Sequence, residues 1–235
     1  MWIQESMRKG SKMKDHYRIG SVDVFIKDSL PDEIDASYVF DYINARIPFY
    51  LLTSVEIIYV GVFPEMIERD INAFYENDAI YVTSEQDDEM DMIDDIIHEL
   101  SHAIEKKNGE LIYNDSSLER EFLAKRSRLE NLLKKDFKVP PHFSIDAEYD
   151  KGVDNFLYAD VTYDILQRYI PNIFPTPYSV TSINEYWAIG FEEMFLGDRD
   201  KLKQLCPVLH NKLLTIIKEL KENTWQVSPD VLDYK

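Results

Sequence analysis

Apolar residues in the first half of the chain form short runs typical of strands, separated by helical patterns. Val22 to Ile26 alternates apolar and polar positions, and the β-branched run from Val55 to Val60 is typical of a buried strand. Two apolar runs between Phe74 and Thr83 flank the triplet Glu-Asn-Asp, which predicts a β-hairpin. Helices are predicted from Pro31 to about Arg46 and from Phe63 to about Ile71. The predicted order is therefore strand, helix, strand and hairpin, with a short helix before the hairpin.

A longer helix is predicted after the hairpin, from about Asp87 to Lys107, with Gly109 just beyond its end. Its apolar residues repeat at the spacing of a core-facing helix: Ile93, Ile96, Ile97, Leu100 and Ile104. Acidic residues gather at its start, where the helix dipole favours negative charge. They lack the glycine-centred alternation of a calcium loop, so a solvated first turn is expected.

The second half of the chain has a helical pattern. An apolar stripe from Leu118 to Leu133 predicts an amphipathic helix, on which basic residues including Lys125 and Arg126 are expected to form a solvated face. Further helices are predicted at three places: about Asp154 to Tyr169, Ser182 to Gly197, and about Val208 to Lys221.

Length and composition predict one principal domain between two terminal segments. The chain has 235 residues and shows neither an internal repeat nor a low-complexity linker. We expect a flexible N-terminal arm over residues 1–20, a single domain over 21–221 and a polar tail over 222–235. Within the domain, residues 21–109 are expected to form a lobe with the sheet and the long helix, and residues 110–221 a helical lobe.

The net charge of −18, from 44 acidic and 26 basic residues, disfavours nucleic acid and anionic membranes as partners. No stretch approaches the roughly 20 apolar residues of a membrane span. The N-terminus lacks the apolar core of a signal peptide, so a cytoplasmic location is expected, with export by a signal-independent route left open. Cys206 is the single cysteine, which excludes an intrachain disulfide and a cysteine-based zinc knuckle.

The pentapeptide His98-Glu99-Leu100-Ser101-His102 has the pattern H-E-x-x-H and lies within the predicted long helix. Residues four apart share one face of a helix, so the two imidazoles can bind one cation. The pattern indicates a zinc site with His98 and His102 as ligands. Glu99 is then the candidate general base, which takes a proton from zinc-bound water and passes it to the leaving amine.

A catalytic zinc site needs a third protein ligand and one open position. The other histidines belong to no second paired motif: His16, His142 and His210. Glu185 is the favoured ligand, because it lies near the start of a later helix, off its buried stripe, with the small Ala188 about one turn further on. Ser182 and Glu185 also fit a helix capping box, so a capping role competes with the ligand role. Two carboxylates on the same helix are reserve ligands: Glu192 and Glu193.

Tyr178 lies seven residues before Glu185, in a proline-flanked loop that leads to this helix. A phenol in that loop could donate a hydrogen bond to the oxyanion that develops during peptide hydrolysis. The alternative is an ordinary packed tyrosine, one of 15 in the chain.

The segment from His98 to Glu105, followed by Tyr178 and the segment from Glu185 to Phe191, resembles the catalytic domain of anthrax lethal factor and the related Pro-Pro endopeptidases. In that family a helix with the motif H-E-x-G-H-A comes first. A later segment has the motif Tyr-x6-Glu, in which the glutamate lies on a second helix. The resemblance implies a zincin-like α+β fold with a small mixed sheet, an active-site helix and a C-terminal helical lobe. It also implies a set of roles: His98, His102 and Glu185 bind Zn²⁺, Glu99 is the base, and Tyr178 is the transition-state donor.

The resemblance covers roughly Ile80–His102 and Pro177–Lys221, and the sequence departs from the family in three respects. Ser101 replaces the usual glycine, which a helix should tolerate. Ile189 stands where the family commonly has a second glutamate that orients a histidine. The segment between the two motifs is long, and it is expected to add a helical wall or lid.

The expected function is hydrolysis of a peptide bond in a protein or peptide substrate, with neutral or basic substrates favoured by the charge. Ile80-Tyr81-Val82 is expected to be an edge strand that pairs with an extended substrate. Two alternatives remain open. One is an intracellular metallopeptidase that cleaves a repressor and uses another third ligand; the other is a zinc-holding interaction or particle protein with little turnover. The sequence specifies neither the physiological substrate nor the oligomeric state.

Overall fold

The computed structural model describes residues 15–227. The chain divides into two compact units between Ile104 and Glu105. A five-stranded mixed sheet belongs to the first unit, whereas the second is helical, so the predicted α+β class is confirmed. The remainder of the predicted N-terminal arm and polar tail, residues 1–14 and 228–235, lies outside the described residues. None of the helices in the described part is both long and apolar enough to cross a membrane.

The first unit follows the predicted order, with an additional strand at its start and an additional short helix after the first helix. Its elements are β1 (Asp15–Ile19), β2 (Val22–Ile26), α1 (Ala36–Arg46), α2 (Phe49–Leu52), β3 (Ile57–Val60), α3 (Pro64–Arg69), β4 (Ala73–Glu76), β5 (Ala79–Val82) and the first part of α4 (Glu89–Tyr113). Helix α1 begins later than predicted because Asp35 caps it, accepting hydrogen bonds from the backbone amides of Ser37 and Tyr38.

Strand β1 lies within the segment predicted to be a flexible arm, so that prediction is wrong for residues 15–19. The strand pairs antiparallel with β2 through a two-residue turn at Gly20 and Ser21. Gly20 has a φ of 59°, a left-handed conformation that glycine adopts without strain. This glycine-containing pair is the sequence signal for the hairpin.

The strand order is β1-β2-β3-β5-β4, which places β5 inside the sheet. Strand β5 pairs in parallel with β3 and antiparallel with β4. The hairpin prediction is confirmed: Asn77 and Asp78 form its turn, with φ values of 50° and 61°. The turn folds β4 onto the outer side of β5. The prediction of Ile80-Tyr81-Val82 as a substrate-binding edge strand is therefore wrong, because both sides of β5 are already paired.

One ring from each strand contributes to a stacked aromatic ladder across the sheet. The centroids of His16 and Phe25 are 4.9 Å apart, and those of Phe25 and Tyr59 are 6.1 Å apart. The ladder continues from Tyr59 to Tyr81 at 5.3 Å and from Tyr81 to Phe74 at 4.6 Å. These residues are direct partners in the strand register. Because cross-strand aromatic pairs stabilise sheets, the ladder ties all five strands together.

The second unit contains the end of α4 and a series of helices. They are α5 (Ser117–Leu133), α6 (Lys151–Asn155), a π-helix (Phe156–Val161), α7 (Tyr163–Tyr169), a 3-10 turn (Tyr178–Val180), α8 (Ile183–Phe195), α9 (Arg199–Leu205) and α10 (Pro207–Val227). The helix predicted at about 154–169 is interrupted at Thr162, whose φ is 67°. Helix α10 extends beyond the predicted end at Lys221, so part of the predicted polar tail is helical.

Helix α4 does not end before Gly109 as predicted. Its backbone is non-helical at Asn108, where φ is −123° and ψ is 17°, and the helix then resumes to Tyr113. The predicted stop is therefore a kink. Gly109 does not adopt the left-handed conformation of a helix-ending glycine, and a Cβ there would meet no atom within 4 Å.

The expectation that Lys125 and Arg126 face solvent is wrong, because both side chains are buried, with 7% and 1% of their surface exposed. Lys125 Nζ donates hydrogen bonds of 2.7 Å to the carbonyl oxygens of Ile173 and Leu205. A buried cation is tolerated only when its donors are satisfied, and here backbone carbonyls from distant segments satisfy them.

Candidate metal centre

The H-E-x-x-H segment lies on α4, where the helix is anchored by its buried apolar stripe. The predicted stripe residues are at most 1% exposed: Ile93, Ile96, Ile97, Leu100 and Ile104. His98 and His102 lie off this stripe and are half-buried. The stripe therefore fixes the rotation of the helix and directs both imidazoles to one side.

The two imidazoles point at a common position. The Nε2 atoms of His98 and His102 are 3.2 Å apart, and the rings are inclined at 77°. Two zinc–nitrogen bonds of about 2.0–2.1 Å at a tetrahedral angle require a nitrogen separation of about 3.3 Å. The pair therefore fits the geometry of a single zinc ion.

Glu99 and Ser101 complete the pentapeptide within the same helix. Glu99 is 9% exposed, so its carboxylate lies in a largely water-excluded environment. Ser101 is fully buried, and its hydroxyl donates a 2.6 Å hydrogen bond to the carbonyl oxygen of His98. Serine is thus accommodated at this position of the helix, with its polar group satisfied.

Glu185 lies in the first turn of α8, and the competing capping role is partly realised. Ser182 is the N-cap, and its Oγ accepts a 3.1 Å hydrogen bond from the backbone amide of Glu185. This hydrogen bond uses the backbone amide of Glu185, which leaves the direction of its side chain to be set separately. Capping and metal binding are therefore compatible at this residue.

The three predicted ligands are close together. One ligand atom from each of His98, His102 and Glu185 lies within 4.8 Å of the others, and among the described residues this is the one group of three or more potential ligands that meets this spacing. The other candidates are absent from the group: His16, His142, His210, Glu192 and Glu193. Glu193 instead accepts a hydrogen bond of 3.2 Å from the backbone amide of Asp198.

A buried carboxylate that sequence reasoning missed lies next to the first turn of α8. Glu105, 7% exposed, accepts hydrogen bonds at Oε1 from Tyr113 and from the side-chain amide of Asn184, the latter at 2.6 Å. Burial, followed by the charge of Glu105, raises the pKa of the Tyr113 phenol, which therefore remains a donor. Glu105 and Asn184 are 79 positions apart, so no local pattern could reveal the pair.

Arg126 holds the segment that connects Tyr178 with Glu185. Its Nε and Nη2 donate hydrogen bonds of 2.9 and 2.7 Å to the carbonyl oxygens of Val180 and Thr181. Its Nη1 donates to two further carbonyls, those of Phe143 and Asp146. Burial lowers the pKa of Arg126 to about 10, so the guanidinium stays charged at neutral pH.

Tyr178 begins the 3-10 turn, and its side chain is 42% exposed. Its carbonyl oxygen accepts hydrogen bonds from the amide and the hydroxyl of Thr181, at 3.0 and 2.8 Å. The backbone at Tyr178 is thus fixed while the phenol reaches the surface. Its role as an oxyanion donor stays a prediction.

Two other tyrosines lie within the electrostatic influence of Glu185. Burial, then the charges of Asp154 and Glu185, raises the pKa of Tyr163 to about 12. The pKa of Tyr149 is raised first by its hydrogen bond to Asp154, at 2.9 Å, and also by Glu185. Tyr163 directly follows the π-helix and Thr162. Such helical irregularities are frequent at functional sites, but the sequence pattern does not reveal this one.

Comparisons with known proteins find no match to this chain among family models, curated proteins or solved structures. A functional assignment therefore depends on the residues of the candidate centre and on their geometry.

Proposed function

We propose that this protein is a zinc-dependent endopeptidase with a zincin-like fold, similar to the lethal factor and Pro-Pro endopeptidase family. The observation that carries the proposal is the grouping of His98, His102 and Glu185, whose ligand atoms lie within 4.8 Å of one another. Two imidazoles and one carboxylate, with a fourth position left for water or substrate, form a common catalytic zinc set.

The donor set suits zinc in both chemistry and spacing. Imidazole nitrogens and a carboxylate oxygen are favourable zinc ligands, and the 3.2 Å separation of the two Nε2 atoms is already suitable. For a tetrahedral site, the widest separation within the group must shorten by about 1.5 Å.

When bound, zinc lowers the pKa of a coordinated water toward ~7 and polarises the substrate carbonyl. Glu99 takes a proton from the attacking water and delivers it to the departing amine, so the proton is conserved through the reaction. Low exposure of Glu99 strengthens its interaction with the transferred proton. Tyr178 donates a hydrogen bond to the substrate oxygen as negative charge develops on it.

We propose neutral or basic peptides as the substrates. The chain carries a net charge of −18, which attracts cations and repels acidic chains. The second unit also has a series of acidic residues from the segment after α5 to the first turn of α7: Glu148, Asp150, Asp154, Asp160 and Asp164. Long-range attraction of this kind affects association rates and weakens as salt is added.

The test combines zinc content with cleavage of a peptide library by the full chain. Glu99→Gln should retain zinc and lose about 10²–10⁴-fold in turnover, since it removes the general base. Glu110→Gln is the matched control, because Glu110 is exposed on the same helix. Glu185→Gln should lower zinc occupancy, whereas Glu192→Gln should not.

Two results would contradict the proposal in different ways. Unchanged cleavage by Glu99→Gln would rule out the peptidase mechanism. Zinc binding by the unaltered chain without cleavage of any library peptide would instead favour the zinc-holding interaction protein.

A further inference from the structure

Glu105 is a buried acid in the part of α4 that follows the H-E-x-x-H segment. It lies three residues after His102 on the continuous helix, and 7% of its surface is exposed. Removing a carboxylate from water is unfavourable unless hydrogen bonds compensate for the lost hydration. Tyr113 and Asn184 provide such bonds, both to Oε1.

Asn184 connects this carboxylate to the first turn of α8. The 2.6 Å hydrogen bond from its Nδ2 to Glu105 joins residues that are distant in sequence. Asn184 directly precedes Glu185, and Ser182 caps the same turn. Successive helical residues differ by about 100° in direction, so fixing Asn184 also fixes the direction in which Glu185 leaves the helix.

The bond is charge-assisted, and both partners are shielded from bulk water. Hydrogen bonds with one ionised partner are roughly twice as strong as neutral ones. Asn184 is half-buried, and the phenol of Tyr113 holds the acceptor carboxylate from a second direction. The carboxylate is thereby restricted to an orientation that keeps the amide of Asn184 in place.

We propose that Glu105 is a positioning residue for the zinc centre, which acts through Asn184 to set the orientation of the Glu185 carboxylate. This inference rests on the proposed function, because it takes Glu185 as a zinc ligand. Glu105 itself does not touch the metal or the substrate. Partners that orient zinc ligands commonly change metal affinity by 10–100-fold when they are removed.

The decisive variant is Glu105→Gln in the full chain, with Glu110→Gln as the matched control. Zinc dissociation constants are measured by competition with a chelator. We expect Glu105→Gln to bind zinc about 10–100-fold more weakly and Glu110→Gln to bind it normally. The visible spectrum of the cobalt-substituted protein should also change for Glu105→Gln, because it reports ligand geometry and does not respond to a loss of stability alone.

A double-mutant cycle separates positioning from a general structural role. If Glu105 acts through Glu185, adding Glu105→Gln to Glu185→Gln should weaken zinc binding no further. Two independent losses that multiply would overturn the inference. A normal zinc affinity and cobalt spectrum for Glu105→Gln would overturn it as well, while leaving the proposed function intact if Glu185→Gln still loses zinc. Failure of the unaltered chain to bind zinc would overturn both.

A second pair of variants keeps the test decisive if Glu105→Gln does not fold. Circular dichroism and urea unfolding identify such a failure. Asn184→Ala removes the donor and leaves Glu105 in place, and it should weaken zinc binding about tenfold. Tyr113→Phe retains the bond between Asn184 and Glu105, and it should have a smaller effect. Normal zinc affinity in a folded Asn184→Ala variant would contradict the proposal.

Discussion

The guanidinium of Arg126 donates a 2.7 Å hydrogen bond to the carbonyl oxygen of Thr181, the residue directly before the N-cap of α8. A charged side chain on α5 thus binds the backbone that links Tyr178 to Glu185. No carboxylate of the described residues forms an ion pair with this guanidinium. Four of its five N–H donors are instead used in hydrogen bonds to carbonyl oxygens. Arg126 therefore determines the path of this segment through geometry rather than through pairing of opposite charges.

Arg126→Met should destabilise the protein strongly. The substitution leaves several carbonyl oxygens without their donor, and each buried unsatisfied group costs about 1–3 kcal/mol. We expect the free energy of unfolding, measured with urea, to fall by at least about 3 kcal/mol. Arg128→Met on the exposed side of the same helix is the control. Equal midpoints for the two variants would show that the carbonyl contacts contribute little.

Tyr178→Phe should lower turnover by about 10²–10³-fold and leave zinc affinity unchanged, because the lost hydrogen bond forms only as the oxyanion develops. The measurements are kcat on a cleaved library peptide and the zinc dissociation constant. Tyr158→Phe is the matched control, since Tyr158 is an exposed tyrosine of the same unit. An unchanged kcat in Tyr178→Phe would rule out Tyr178 as the oxyanion donor.

Tyr59→Thr should weaken the sheet, because Tyr59 is the central ring of the aromatic ladder. It stacks with Phe25 on one side and Tyr81 on the other. Each aromatic pair contributes about 0.5–1.5 kcal/mol beyond the area it buries, so a loss of about 1–3 kcal/mol is expected in urea unfolding. Ile57→Thr tests the same strand and face outside the ladder and should cost less. Equal losses of stability in Tyr59→Thr and Ile57→Thr would show that the ladder makes no specific contribution.

The stability of the protein should fall at alkaline pH, in part because of Tyr163. The pKa of its phenol is raised from 10.0 to about 12 in the folded state, first by burial. Below pH 10 the phenol is protonated in both states and contributes no pH dependence. Between pH 10 and about 12 the unfolded chain loses the proton first, so the free energy of unfolding falls as pH rises.

Urea unfolding at pH 9, 10 and 11 measures this effect. Tyr163→Phe removes the titrating group, so its stability should decline less steeply over this range than that of the unaltered chain. Tyr38→Phe, which changes an exposed phenol of the first unit, is the control. Parallel curves for Tyr163→Phe and the unaltered chain would show that Tyr163 does not contribute to the alkaline decline.

Local patterns were sufficient where one element contains all the information. The i, i+4 spacing of His98 and His102 places both rings on one face of α4, and the apolar stripe decides which face is buried. Alternation and turn residues likewise predict β2 and the hairpin formed by β4 and β5. The same local information predicted α8 and its cap at Ser182.

Pairings between distant segments were not predictable from these patterns. Strand β5 has the composition of a strand whether it lies at an edge or inside the sheet, and only the pairing with β3 and β4 decides its position. Lys125 and Arg126 lie three and four residues after Phe122, the spacing of the buried stripe, but their charge favoured a solvated face. Both side chains are nevertheless buried, and carbonyl groups far away in sequence satisfy their donors.

The sequence by itself determined the histidine pair, the adjacent Glu99, and Glu185 as the favoured third ligand, because residue type and helical spacing are local properties. Only the tertiary structure could bring Glu185 within 4.8 Å of the histidines and place Asn184 against Glu105. The physical reason is that these contacts depend on how separate helices pack. A hydrogen bond between residues 79 positions apart forms only after the backbone has been arranged by the buried core.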